Sequence, residues 1–207
     1  DRDGATELKV IYYNLTDLQV VFTGSSVLDI YQGTADLSRR VLVYKMQGLS
    51  FREYIGMKLG IDLPAYTLEQ IVNHEVELPI EIDHPLSLFN EYLRQGYYPF
   101  YEDEGYKMRL NQVVSITLET DIPQYANYTV TISRKLKELM QVIADSVPFK
   151  PNMSTIATII KADRGLLPDY FELMEKAGLI AQHHDSTKGV RGLGKVEKVY
   201  LDNTNLA

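Results

Sequence analysis

Three amphipathic stretches followed by two β-rich runs constrain the fold of this chain more than any other feature of its sequence. Apolar residues recur at three- and four-residue spacing after Ser133, Ser154 and Pro168, which predicts three consecutive helices. Residues 179–181 and 196–201 are rich in apolar and β-branched side chains and flank a polar, Gly-rich segment, which predicts a β-hairpin. Three helices followed by a hairpin is the order of a winged helix-turn-helix.

Shorter helices are predicted for the middle of the chain. Ser50 is followed three residues later by Glu53, the spacing of a capping box, and Gly60 is placed to end the helix that begins there. Further helices are predicted over residues 68–72 and 85–96. Residues 111–119 fit a helix, although their β-branched content also fits a strand.

The N-terminal part predicts a helix over residues 5–14 and then a strand. Residues 18–22 (LQVVF) form a short apolar run of the kind that is buried on both faces of a parallel sheet. Residues 41–44 (VLVY) are a second strand candidate. One buried parallel strand cannot exist alone, so we expect its neighbours to come from residues outside this chain.

Polar side chains lie at the end of the first predicted strand, where ligands bind in open α/β sheets. Thr23, Ser25 and Ser26 can offer hydroxyl groups to a phosphate or to an attacking water. The alternative is a turn in which the serines cap the next helix. The adjacent Arg39 and Arg40 are either solvated or face phosphate, since guanidinium groups match phosphate oxygens.

Three separated motifs, in order, resemble one family. They are residues 20–30 (VVFTGSSVLDI), 36–40 (DLSRR) and 48–54 (GLSFREY), and the resemblance continues to residue 206. The family is a prokaryotic group of AAA+-type P-loop ATPases with an ATPase core, a lid, a winged helix and a C-terminal nuclease-like domain. The resemblance implies a mainly α protein with some β: a remnant of an α/β P-loop core (one or two strands), a helical lid and a C-terminal winged helix-turn-helix.

The resemblance also implies roles for the polar residues and a division of the chain. Ser25, Arg39 and Arg40 become catalytic candidates, and Thr23, Ser25 and Ser26 become nucleotide-binding candidates. The implied segments are a core remnant, a lid and a winged helix, over residues 1–49, 50–132 and 133–207.

The chain departs from the family in one decisive respect. It contains no Gly-x-x-x-x-Gly-Lys-Ser/Thr run to cradle phosphates and no apolar strand ending in Asp-Glu to hold Mg²⁺. We therefore expect ATP and Mg²⁺ to bind only in a longer protein, and this chain alone to be catalytically incompetent. The expected partners are a missing N-terminal P-loop portion and a missing C-terminal domain of the same protein, with a homo-oligomer left open. No residue spacing predicts a metal site of another kind.

Composition limits the environment of the chain. The 207 residues include no Cys, which excludes a disulfide framework and favours a reducing compartment such as the cytoplasm. No apolar run approaches the ~18 residues of a membrane span. Both ends look cut, because the chain begins without Met and stops abruptly. Residues 1–132 carry 10 basic and 19 acidic side chains, whereas residues 133–207 carry 11 basic and 9 acidic ones, which suggests two modules with different neighbours.

The rival hypothesis is a DNA-binding winged-helix regulator. The cations of the predicted wing that would contact phosphates are Lys188, Arg191, Lys195 and Lys198. The predicted recognition helix opposes this function, because it carries three carboxylates and one lysine and lacks the usual base-reading side chains. We therefore favour a role in contacts between domains. A scaffold that binds neither ATP nor DNA is the third hypothesis.

Overall fold

A computed structural model describes residues 4–23, 41–146, 150–184 and 196–207 of the chain. These residues are mainly helical, and they include one two-stranded antiparallel sheet. The predicted fold class, mainly α with some β, is confirmed. No helix within these ranges is long and apolar enough to cross a membrane.

Eleven helices and strands are described, in the chain order given below. A π-helical segment, Thr117–Asp121, joins α5 to α6, and 3₁₀ turns occupy Arg164–Leu166 and Thr204–Leu206. The elements are α1 (Gly4–Asn14), α2 (Phe51–Leu59), α3 (Leu68–Val72), α4 (Pro85–Gln95), α5 (Tyr106–Ile116), α6 (Ile122–Ala126), α7 (Val130–Ala144), α8 (Met153–Ile159), α9 (Leu167–Lys176), β1 (Ile180–His184) and β2 (Val196–Leu201).

Local sequence signals explain several helix ends. The Ser50 hydroxyl accepts a hydrogen bond from the backbone N–H of Glu53, and the Glu53 carboxylate accepts one from the backbone N–H of Ser50, so the predicted capping box is present. Gly60 ends α2 in the left-handed conformation, with φ of 68°. Residues 111–116 lie in α5, which decides between the helix and the strand left open for that region.

Two helix starts differ from the prediction. Helix α7 begins at Val130, three residues before Ser133, and Ser133 itself is buried. The backbone of Thr129 is extended and provides the boundary. Helix α8 is capped by Asn152, whose side-chain oxygen accepts hydrogen bonds from the backbone N–H groups of Ser154 and Thr155, each at 3.1 Å. Both errors arose because several neighbouring residues were suitable caps.

The described residues belong to two compact units, Met46–Lys107 and the parts of the chain on either side of it. The core of the first unit is rich in tyrosine: Tyr54, Tyr101 and Tyr106 are at most 5% exposed. Tyr54 packs edge-on against Tyr101, with ring centroids 4.9 Å apart. Burial raises the pKa of Tyr106 to about 12. The three predicted segments, 1–49, 50–132 and 133–207, stay a prediction.

The core of the second unit is mainly aliphatic, with two buried aromatic rings, and is built mainly from α7, α8, α9 and the hairpin. Its fully buried members include Leu136, Ile156, Phe171 and Val199, one from each of these elements. β1 pairs antiparallel with β2, with Ile180 opposite Leu201. Three helices and a hairpin therefore follow one another in the predicted order.

The two strands predicted near the N-terminus are not formed. Residues 18–22 and 41–44 have no regular secondary structure, and Val21 and Tyr44 are 95% and 86% exposed. A strand needs a hydrogen-bonded neighbour, and the described part of the chain supplies none to either run. The apolar pattern of these runs was identified correctly, but their burial was not.

Candidate functional site

The residues predicted to contact nucleotide lie at the end of the first apolar run. Thr23 is exposed and belongs to no helix or strand. Ser25, Ser26, Arg39 and Arg40 lie outside the described residues. Their roles stay predictions.

Of the four cations predicted for the wing, Lys198 lies within the described residues. It is exposed on β2 and stands opposite His183 in the hairpin. Its neighbour Glu197 forms an ion pair with Lys150, which precedes α8. Lys188, Arg191 and Lys195 lie outside the described part of the chain.

The surface of α9, the predicted recognition helix, is acidic in the structure as in the sequence. Glu172 pairs with Lys176 at 2.6 Å, so the one lysine of the helix is engaged by a carboxylate. Asp169 is exposed beside them. The phosphates that line a DNA groove would meet a negative helix face.

Glu175 of α9 links the helix to the hairpin. One oxygen of its carboxylate accepts a hydrogen bond from the backbone N–H of Gln182 at 2.7 Å, and the other accepts one from the Gln182 side-chain amide at 2.9 Å. Both bonds fix the C-terminal end of α9 to β1. Sequence analysis counted Glu175 with the surface charges and missed this contact, because the two residues meet only once the hairpin is formed.

A second feature absent from the sequence analysis is a charged cluster in the unit Met46–Lys107. The Lys58 ammonium of α2 donates a hydrogen bond to the hydroxyl of the fully buried Tyr54 at 3.1 Å and forms an ion pair with Glu91 of α4. The hydrogen bond from Lys58 holds the pKa of Glu91 below its ordinary value of 4.5. Burial raises the pKa of Tyr54. The cluster joins α2 to α4, so we assign it a structural role.

The lowered pKa of Glu91 predicts an acid-dependent contribution to stability. The ionised carboxylate stabilises the folded state above its unfolded pKa, and this contribution is lost as pH falls below about 4.5. We expect Glu91→Gln to lower the free energy of unfolding at pH 7, modestly because both side chains are partly exposed. Urea unfolding at pH 7 and at pH 3 measures this effect. We expect the difference in free energy of unfolding between the variant and the parent chain to be smaller at pH 3.

A matched control for Glu91 is the exposed Glu138 of α7. Glu138→Gln is expected to leave the free energy of unfolding nearly unchanged at both pH values. A loss at pH 3 as large as that at pH 7 in Glu91→Gln would show that the ion pair is not the cause.

The described residues form no cluster of metal-ligating side chains. Within the described ranges, no three His, Asp or Glu side chains are gathered in an arrangement that would hold a metal ion. A Mg²⁺ ion would instead need the phosphate-binding motifs that these 207 residues lack.

Comparisons with known proteins reveal a family and one distant relative. Residues 86–207, more than half of the chain, match the model of a domain of unknown function, DUF8612. The chain is 22% identical over 177 residues to the uncharacterized protein MJ1637 of Methanocaldococcus jannaschii. The match covers 81% of this chain and 37% of the relative, so the chain spans little more than a third of that protein's length. No solved structure matches.

Proposed function

The chain belongs to the DUF8612 family, a domain of unknown function; from its sequence motifs and its exposed apolar run we propose that it is the sensor, lid and winged-helix part of an AAA+-type P-loop ATPase. ATP and Mg²⁺ bind between the core and the lid of the longer protein, which resides in the cytoplasm. Loss of the γ-phosphate then releases its sensing contacts and reorients the winged helix and the domain that follows. The chain alone does not hydrolyse ATP.

The observation that carries this proposal is the exposure of the first apolar run. Leu18, Val20 and Val21 are 55%, 43% and 95% exposed, although such residues favour the interior of a sheet. An exposed apolar run that is followed directly by Thr23 supports the proposal that these residues form a strand in the longer protein, where they would pair with other strands of a P-loop core. The greater length of the archaeal relative is consistent with such a core in the longer protein.

The second unit supports the winged-helix part of the proposal. α7, α8, α9 and the hairpin share one core, and the hydrogen bonds of Glu175 hold the hairpin against α9. The acidic surface of α9 favours a contact with another domain over a contact with DNA. In this proposal the module is a moving part of the switch.

Binding of a fluorescent ATP analogue with Mg²⁺ tests the proposal. We expect the longer gene product to bind the analogue and the 207-residue chain not to bind it, because only the former carries a P-loop. Binding by the short chain with equal affinity would overturn the division of the site between two portions. No binding by the longer product would overturn the ATPase assignment itself.

Duplex DNA separates this proposal from the rival regulator. We expect a 20-base-pair duplex to bind only weakly and with no preference for sequence, since the acidic α9 repels phosphate and a few wing cations provide only non-specific attraction. Fluorescence anisotropy at 50 and 200 mM salt measures this. Tight binding that falls steeply with salt, and that is lost in Arg191→Glu and Lys195→Glu, would favour the regulator.

A further inference from the structure

The segment between α2 and α4 contains a short helix whose N-terminus is held by local hydrogen bonds. α3 (Leu68–Val72) has no buried residue. Its N-terminus is fixed by a capping box in which Thr67 and Gln70 exchange hydrogen bonds at 2.9 and 3.2 Å. The Tyr66 hydroxyl donates to the carbonyl of Glu77 at 2.9 Å, which joins the residues before and after α3. The segment is thus a preformed loop on the surface.

Large apolar side chains cover this loop and face solvent. Leu68, Ile71 and Val72 lie at the spacing of one helical face and are 76%, 52% and 66% exposed. Val76, Leu78 and Ile80 continue the series at alternate positions after the helix, and Ile80 is 92% exposed. A concentration of exposed apolar side chains of this size indicates an interaction surface.

The charged side chains of this segment, histidines aside, are all carboxylates. Residues 61–84 contain no Lys or Arg, and their carboxylates are those of Asp62, Glu69, Glu75, Glu77, Glu81 and Asp83. Glu75, Glu77 and Glu81 alternate with Val76, Leu78 and Ile80, and all three carboxylate residues are exposed. Carboxylates therefore border each apolar side chain that follows α3.

We propose that this acidic apolar loop, residues 66–84, is a docking site for a basic amphipathic segment of a partner protein. Apolar side chains of the partner cover Leu68, Ile71 and Val72, and its Lys and Arg residues lie over the surrounding carboxylates. Apolar burial supplies affinity, and the charges select a basic partner and accelerate its association.

Charge complementarity also decides against other occupants. Nucleic acid and anionic membrane surfaces are repelled by the five carboxylates of the loop, which no lysine or arginine of the loop offsets. A second copy of the chain that presented the same loop would set like charges against each other. A basic amphipathic segment satisfies both the apolar and the acidic character of the surface. This inference is independent of ATP binding.

Two synthetic 18-residue helical peptides, one built from Leu and Lys and one from Leu and Glu, test the proposal with the 207-residue chain. We expect fluorescence anisotropy to detect binding of the Leu/Lys peptide and not of the Leu/Glu peptide. The double variant Leu68→Ser/Ile71→Ser is expected to weaken binding by about tenfold, since two apolar contacts are lost. Glu75→Lys/Glu77→Lys is expected to weaken it similarly and to reduce its salt dependence.

Matched controls come from exposed residues elsewhere in the chain. Val130→Ser replaces an apolar side chain that is 81% exposed, and Glu102→Lys/Glu104→Lys reverses two charges outside the loop. Both controls are expected to keep the parent affinity within about twofold, a difference well under 1 kcal/mol. Circular dichroism checks that every variant remains folded, which we expect because the changed side chains are exposed.

Three outcomes would overturn the proposal. The first is equal binding of the two peptides. The second is an equal loss of affinity in the control variants, which would indicate non-specific attraction to an acidic protein. The third is self-association in sedimentation experiments that Leu68→Ser/Ile71→Ser abolishes, which would assign the loop to a second copy of the chain.

Discussion

Replacing Arg39 or Arg40 by alanine in the proposed longer ATPase is expected to lower kcat by on the order of 10³-fold if the replaced residue is the arginine finger. The transferred phosphoryl group gathers negative charge on its equatorial oxygens, and a guanidinium group placed there stabilises the transition state more than the bound ATP. Steady-state ATP hydrolysis measures the change. KM is expected to vary little, because the contact strengthens only in the transition state.

The control for these variants is Arg134→Ala, which removes an exposed arginine of α7. Its kcat is expected to stay within about twofold of the parent value, since Arg134 is an exposed surface arginine that belongs to none of the motifs assigned to the nucleotide site. Unchanged turnover in both Arg39→Ala and Arg40→Ala would remove the finger assignment from this segment.

A large effect on stability is expected from Ile156→Ala. Ile156 is 1% exposed in the core that α8 shares with α7 and α9, and its loss leaves a cavity that costs about 2–5 kcal/mol. Ile159 lies on the same helix but is 53% exposed, so Ile159→Ala is expected to cost less than about 1 kcal/mol. Urea unfolding followed by circular dichroism compares the two.

The pair separates core packing from helix propensity. Both variants make the same chemical change in one helix, so a difference in their free energies of unfolding reports the burial of the side chain. Equal losses in the two variants would contradict the placement of Ile156 in the core that holds α7, α8, α9 and the hairpin together.

Local signals were sufficient to predict much of this fold. The capping box of Ser50 and Glu53 fixes the start of α2, and the left-handed Gly60 fixes its end. Both signals involve only residues close in sequence, and both were identified correctly. Caps were missed where several suitable residues lie close together, as with Asn152 and Ser154. The hairpin was predicted because β-rich runs flank a polar segment, although its hydrogen bonds to Glu175 were not.

Long-range contacts could not be predicted in this way. The ion pair of Lys58 and Glu91 joins residues 33 positions apart, and no pattern in the sequence marks them as partners. Residues 18–22 have the composition of a buried strand, but burial depends on neighbouring strands that the described chain does not supply. The proposed nucleotide site is subject to the same limit, because a phosphate-binding site is assembled from segments distant in sequence. Thr23, the member of the predicted site that the structure describes, is exposed.

The most direct test of the central claim is the mass and peptide map of the native protein, captured from its source cells with an antibody against this chain. The ATPase proposal predicts a species substantially larger than 23.6 kDa, with an upstream peptide that carries Gly-x-x-x-x-Gly-Lys-Ser/Thr. A native species of 23.6 kDa would contradict the proposal, because no phosphate-binding loop would then exist in the chain to complete the nucleotide site.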